Sequence, residues 1–181
     1  MKNNNWIKSF LNVHPDFPIT NVSFITFERI LADPNIFNDV IEGFATILNK
    51  RNITAIAAID SRGFLFGAPL ALKLRKKLCL IRKPGKTPDA LCSEKKQMEY
   101  SSVSLEMQNG SLSSSDNVLI VDDIIATGAT LELAIDLIKK QSAQVDSITA
   151  LLDLTYVEKT SDLSKYLILP LLNLKSLDEI S

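Results

Sequence analysis

The stretch Val118-Leu119-Ile120-Val121-Asp122-Asp123-Ile124-Ile125-Ala126-Thr127-Gly128-Ala129-Thr130 restricts this chain to few folds. Its four leading apolar residues, mostly β-branched, predict a short strand in the middle of a sheet covered on both faces. Two carboxylates stand where that strand should end, followed by a small-residue loop with hydroxyls at Thr127 and Thr130. Leu131, Ala134, Ile135 and Ile138 then recur at helical spacing and predict a helix over 131–141. A small-residue loop opening a helix turns unpaired N–H groups and the positive end of the helix dipole toward one spot, which suits a phosphate. The loop lacks the lysine of a Walker P-loop, so a triphosphate cradle is not expected. The acid pair would repel a second anion but accepts hydrogen bonds from sugar hydroxyls. A phosphorylated ribose meets both conditions.

The strand–loop–helix order occurs a second time. Residues 54–59 predict a buried strand that ends on Asp60-Ser61-Arg62-Gly63-Phe64, with an apolar helix over 65–75. Ligands of open α/β sheets bind at such carboxyl ends of strands. A third strand over 78–81 runs into Arg82-Lys83-Pro84-Gly85-Lys86, three cations in five residues. Alone, such a turn is usually just solvated; beside a phosphate site it becomes an anion-binding candidate. Asp33-Pro34 reads as a helix start, a cap followed by proline at the first position, and Phe37, Val40, Ile41, Phe44 and Leu48 give that helix one apolar stripe. Residues 87–117, rich in Ser, Lys and Gln, form a long polar segment of the kind that is functional or disordered in compact domains; alternation at Val103, Leu105 and Met107 favours a ragged hairpin. A strand over 144–152 should bring Asp153-Leu154-Thr155 to the same ligand edge, and 166–169 predicts a last short strand. The first twelve residues predict a weak helix around Trp6, Ile7, Phe10 and Leu11. Val22-Ser23-Phe24-Ile25 predicts a short extended piece, with Phe24 either core or a stacking surface. His14, between a helix end and two prolines, has no partner for acid–base work.

With 181 residues the chain is expected to be one domain, 1–181, able to bury a sizeable core. Twenty basic and 21 acidic side chains leave a net charge of −1, which argues against a nucleic-acid-coating protein. No apolar run reaches membrane-span length, and the N-terminal residues lack a signal-peptide core. One histidine and two scattered cysteines give no zinc-ligand set. The expected compartment is the cytoplasm.

The central stretch resembles the signature of the type I phosphoribosyltransferases, which bind 5-phosphoribosyl 1-pyrophosphate (PRPP). Ile59-Asp60-Ser61-Arg62-Gly63-Phe64-Leu65-Phe66-Gly67, Leu80-Ile81-Arg82-Lys83-Pro84-Gly85-Lys86, Glu99-Tyr100, and Pro15-Asp16-Phe17-Pro18 with Val22 and Phe24 are similar to the adenine branch of that family, over about residues 12–172. The resemblance implies a central, mostly parallel sheet flanked by helices, a small N-terminal base-binding hood over 1–33 and a mobile hairpin lid over 87–117. The implied reaction is adenine plus PRPP to AMP plus pyrophosphate with Mg²⁺, in purine salvage, by a homodimer. A transferase for another purine base and a non-catalytic PRPP-binding regulator are the alternatives.

Residue by residue, the resemblance implies Asp122 and Asp123 on the ribose hydroxyls and Ala126, Thr127, Gly128, Ala129 and Thr130 on the 5′-phosphate. Ser61, Arg62, Lys83 and Lys86 would meet the pyrophosphate, with Arg82 reaching in from a partner subunit. Glu99 would steer the purine proton, and Tyr100 would help close the lid. Val22, Ser23 and Phe24, with Leu152 and Leu154, would form the adenine pocket. Mg²⁺ would be held mainly by PRPP and water, without a confidently assigned protein ligand. The resemblance also implies a cis peptide between Asp60 and Ser61. Three positions depart from the family pattern: Ala129 and Ser101 replace glycines, and Ile25 replaces an arginine that can contact the base. The backbone of 22–24 is therefore expected to read adenine.

Overall fold

The structure, a computed structural model, describes residues 4–93, 96–97, 102–160 and 162–180. A 3₁₀ helix over Asn4–Phe10 opens the chain and buries Ile7, as the sequence suggests for its weak N-terminal helix. Next come β1 (Asn12–His14) and β2 (Phe24–Thr26), which pair antiparallel as a separate two-stranded ribbon. Then follow α1 (Glu28–Ala32), α2 (Pro34–Leu48), β3 (Ala55–Ile59), α3 (Gly63–Leu74) and β4 (Lys77–Arg82). Asp33 Oδ1 accepts from Asn35 N at 2.9 Å and Ile36 N at 3.2 Å, so the cap expected before Pro34 is made.

Short strands β5 (Ala90–Cys92), β6 (Lys96–Gln97), β7 (Ser102–Val103) and β8 (Glu106–Gln108) occupy the polar segment. β6 and β7 pair with each other. β5 and β8 do not belong to a free loop: β8 lies antiparallel on β4, and β5 lies on β8. The described parts of 87–117 thus rest on the edge of the main sheet, with Leu105, Met107 and Leu112 buried.

β9 (Asn117–Ile125), α4 (Ala129–Lys140), β10 (Gln144–Leu154), β11 (Leu167–Ile168) and β12 (Leu172–Leu174) complete the order, followed by a 3₁₀ turn at Leu177–Ile180. The sheet runs β11-β10-β9-β3-β4-β8-β5, and β12 also pairs with β10. From β11 to β4 all neighbours are parallel, so β3, β4, β9 and β10 end on one edge.

Alternation along the strands sorts the core into two layers. Ile56, Leu119 and Val121 cluster with Val40, Phe44, Phe66 and Leu70 of α2 and α3. Ala55, Ala57, Val118 and Ile120 cluster with Leu131, Ala134 and Ile138 of α4. Helices cover both faces, the arrangement a continuous apolar strand requires.

The acid pair does not follow β9 but lies inside it, because β10 continues alongside and pairs Ala150 with Asp122 and Asp153 with Ile125. The strand expected over 166–169 forms as β11, shortened to Leu167–Ile168, but it is not the last, since β12 follows beyond Pro170.

Candidate active site at the carboxyl edge of the sheet

The acid pair, the small-residue loop and the cationic turn all meet at this edge. Gly128 has φ +86 and caps α4, while Ala129 is already helical. The left-handed position is therefore the glycine itself, and the Cβ of Ala129 costs nothing. Thr127 Oγ1 accepts from Ala129 N at 3.4 Å. The first turn of α4 thus presents its amides beside the end of β9, the geometry that suits an anion.

Close approach of two loops sets the other half. The Asp60–Ser61 peptide is cis, as the resemblance implies. A Cβ on Gly63 would stand 2.8 Å from Val121 O and 3.1 Å from Asp122 Cα, so only glycine lets α3 begin against the acid pair. Arg62, just before it, forms an ion pair with Asp123. Its guanidinium also lies 4.8 Å from the Phe24 ring centre and 4.9 Å from that of Phe27, and Nη1 donates to Ile25 O at 3.0 Å. One side chain therefore joins the ribbon, the acid pair and the first loop.

Ile25, where the family carries arginine, is 3% exposed and belongs to the main core. Its side chain points away from the site, and the cation near the Phe24 ring comes from Arg62 instead. Phe17 packs edge-on to Phe24 at 5.4 Å. Val22 is tied into its own turn, its C=O accepting from Phe17 N at 3.0 Å and its N–H donating to Ile19 O at 3.2 Å. Of the three residues expected to read a base, Ser23 is exposed and outside those turn bonds, and Phe24 is half-buried.

The electrostatics of the two acids are unequal. Asp122 keeps some surface open to solvent, yet surrounding protein, and then the charge of Asp123, push its carboxyl well above the usual range. The Asp123 N–H, donating to Asp122 Oδ1 at 2.9 Å, works the other way. Asp123 itself is 8% exposed.

In the cationic turn, Lys83 and Lys86 are exposed. Arg82 Nη1 donates to Lys86 O at 2.9 Å. Arg82 Nε is buried without a hydrogen bond, and its ion pair with Asp60 Oδ2 is 4.0 Å long. Asp60 Oδ2 also accepts from Lys83 N at 3.5 Å, linking the two loops. Glu106, which sequence reasoning missed, orders the turn by accepting from Gly85 N at 2.8 Å and Lys86 N at 2.6 Å. Burial would raise the Glu106 pKa, but these amides outweigh it and hold the carboxyl below its ordinary range. No local signal marks this residue, because its partners lie about twenty positions away.

Leu152 has no exposed surface and Leu154 is nearly enclosed, both within the main core cluster. As placed, these two proposed base contacts pack the interior instead of lining an opening. Glu99, Tyr100 and Ser101 lie outside the described residues. Another contributor missed by the sequence is Lys159, whose ammonium lies against the carbonyl of Ala126 in the small-residue loop.

Comparison with known proteins matches this arrangement. Residues 26–167 match the model of the phosphoribosyl transferase domain. The chain is 40% identical over 149 residues to the adenine phosphoribosyltransferase of Marinomonas sp., covering 82% of this chain and 83% of that one. It superposes on the crystal structure of adenine phosphoribosyltransferase from Thermoanaerobacter pseudethanolicus with a TM-score of 0.90 and 37% identity, over 94% of this chain and 99% of the other. The Saccharomyces cerevisiae adenine phosphoribosyltransferase, complexed with an imino-altritol bisphosphate and adenine, superposes with a TM-score of 0.86 and 31% identity, over 94% and 98% of the two chains. The chain belongs to the phosphoribosyltransferase family, in its adenine phosphoribosyltransferase branch.

Proposed function

We propose that this protein transfers the phosphoribosyl group of PRPP to adenine, giving AMP and pyrophosphate. The observation that carries this reading is the meeting, at one sheet edge, of an acid pair, a helix N-terminus and a cationic turn. The acids suit ribose hydroxyls, the helix suits the 5′-phosphate, and the cations suit the leaving group. In the reaction N9 of adenine bonds to C1′ as the C1′–O bond to pyrophosphate breaks, and the N9 proton leaves. Negative charge gathers on the pyrophosphate, so Arg62, Lys83 and Lys86 act where charge develops. In the free chain Arg62 neutralises Asp123; ribose hydroxyls arriving on Asp123 would release it toward the pyrophosphate.

Asp122 and Asp123 are hard oxygen donors and fit a Mg²⁺ ion that arrives on PRPP. Among the described residues no set of three or more His, Cys, Asp or Glu side chains is arranged to hold a metal. The ion would be carried mainly by PRPP and water, supplying charge neutralisation to the pyrophosphate.

Assembly as a homodimer is supported by exposed leucines on the neighbouring elements α3 and β4. Leu65 and Leu72 lie two turns apart on one face of α3, and Leu78 and Leu80 alternate on β4; all four are exposed, Leu72 to 82%. Arg82 follows in the same alternation as Leu78 and Leu80, so a second copy covering this surface would bring Arg82 to its neighbour's site. No helix among the described residues is long and apolar enough to cross a membrane. Free thiols at Cys79 and Cys92 suit a reducing cytoplasm.

Pyrophosphate release from PRPP and Mg²⁺, measured with each nucleobase in turn, tests the assignment. Turnover should be fastest with adenine, and comparable kcat/KM for hypoxanthine would replace it with a broader purine transferase. Glu99→Ala should lower kcat by roughly 10²–10⁴ if that carboxylate moves the N9 proton. Near-normal turnover in the variant would remove Glu99 from the reaction.

A further inference from the structure

The segment after β10 turns back under the phosphate loop and is fixed from both sides. Thr155 N and Oγ1 each donate to Leu174 O at 2.8 Å, anchoring the segment to β12. From this anchor Lys159 extends its ammonium into a ring of four oxygens. Nζ lies 2.6 Å from Ala126 O, 2.7 Å from Asp153 Oδ1, 3.2 Å from Leu154 O and 3.4 Å from Ile125 O, its three N–H groups shared among the four. The next residue continues the clasp, Thr160 N donating to Thr127 O at 3.0 Å.

Three successive loop carbonyls, those of Ile125, Ala126 and Thr127, are therefore held by one short segment. In a planar trans peptide the C=O of one residue and the N–H of the next point in opposite directions. Holding these oxygens inward commits the N–H groups of Ala126, Thr127 and Gly128 to the opposite side, where an anion at the helix N-terminus would accept from them. A carbonyl released from the clasp could rotate toward that anion and repel it. Ammonium suits the position, having three donors and no acceptor, and Asp153 balances its charge.

We infer that Lys159 is a positioning residue for 5′-phosphate binding: it holds the carbonyls of the phosphate loop away from the anion. The inference rests on the nucleotide reading given above. A merely structural ion pair would lower thermal stability without changing how strongly the 5′-phosphate is recognised.

AMP and adenosine share base and ribose and differ by the 5′-phosphate, so their affinity ratio isolates its recognition. Calorimetric titration of both ligands into the parent and Lys159→Met should show the AMP-to-adenosine ratio falling about tenfold, through AMP alone. Lys159→Arg keeps the charge but cannot place three donors among the same oxygens, and should lose about threefold. An unchanged ratio in folded Lys159→Met, or in Lys159→Arg should the first variant not fold, overturns the inference. A parent protein that does not prefer AMP to adenosine overturns the nucleotide reading itself, and this inference with it.

Discussion

The aspartates on either side of the apolar run Val118–Val121 of β9 do opposite things. At the amino end Asp116 is 3% exposed and fully partnered. Lys77 Nζ donates to both its oxygens at 2.9 and 2.8 Å, Thr54 Oγ1 donates at 3.0 Å, and Ser113 donates through N at 2.9 Å and Oγ at 3.0 Å. The hydrogen bond from Lys77 leads, against burial, in holding its pKa down to about 2. At the carboxyl end Asp122 is pushed upward by burial and by Asp123. One apolar run is thus preceded by a carboxylate that favours the folded state as an anion and followed by one whose ionisation opposes it. The amino edge closes the fold; the carboxyl edge keeps unfavourable charge ready for a ligand.

The largest expected effect breaks the functional end alone. On the proposed function, Asp123→Asn removes a charged acceptor that would meet the ribose hydroxyls, each such hydrogen bond being worth about 1.5–3 kcal/mol. Affinity for AMP should fall roughly a hundredfold while the melting temperature stays near that of the parent. A matching loss of stability would mean that Asp123 belongs to the fold and not to the site.

Asp116→Asn should do the reverse, destabilising the protein by about 2 kcal/mol at neutral pH and leaving AMP affinity unchanged. Its pH dependence follows from the depressed pKa. The folded protein holds Asp116 ionised below the ordinary carboxylate pKa, so the stabilisation is complete above about 4. It is lost as pH falls through the folded value of about 2. Denaturant titrations of parent and variant should converge over that window. A gap that stays constant down to pH 2 would remove the charge of Asp116 as its cause.

The contrast between the edges also separates what the sequence displays from what it hides. Val118–Val121, the apolar stripe of α2 and the Asp33-Pro34 cap are local patterns, and each forms as read. The ligand edge was equally legible, because loops after parallel strands must gather there. Continuation of β9 through the acid pair is not local: it depends on β10 running beside it as far as Asp153. The docking of β8 onto β4 is hidden for the same reason, since residues 104–117 look polar until Glu106 finds the amides of Gly85 and Lys86. The resemblance points to Leu152 and Leu154 as base contacts, whereas both lie buried in the core along β10. Lys159 stands in a polar stretch with nothing to distinguish it, and only the fold brings four oxygens to it.

The smallest expected effect sharpens the comparison at its least intuitive point. If ionised Asp122 opposes folding, its neutral isostere should relieve the free protein. Asparagine keeps an Oδ1 acceptor for the Asp123 N–H, which Asp122 now receives at 2.9 Å, and removes only the charge that burial and Asp123 disfavour. The sign is opposite to that of Asp116. A carboxyl whose folded pKa is raised binds protons more tightly in the folded than in the unfolded state, so its contribution to stability declines as pH rises above the unfolded value near 4. Asp122→Asn should therefore stabilise the free protein at neutral pH by roughly 0.5–1 kcal/mol, the scale typical of substitutions that relieve strained functional sites. The gain should shrink toward pH 4, and AMP affinity should fall at the same time. Melting curves of the two proteins from pH 4 to 8 should diverge upward in pH. Parallel curves, or a variant less stable than its parent at pH 7, would mean that the acid pair carries no charge strain and that the two sides of the apolar run are alike.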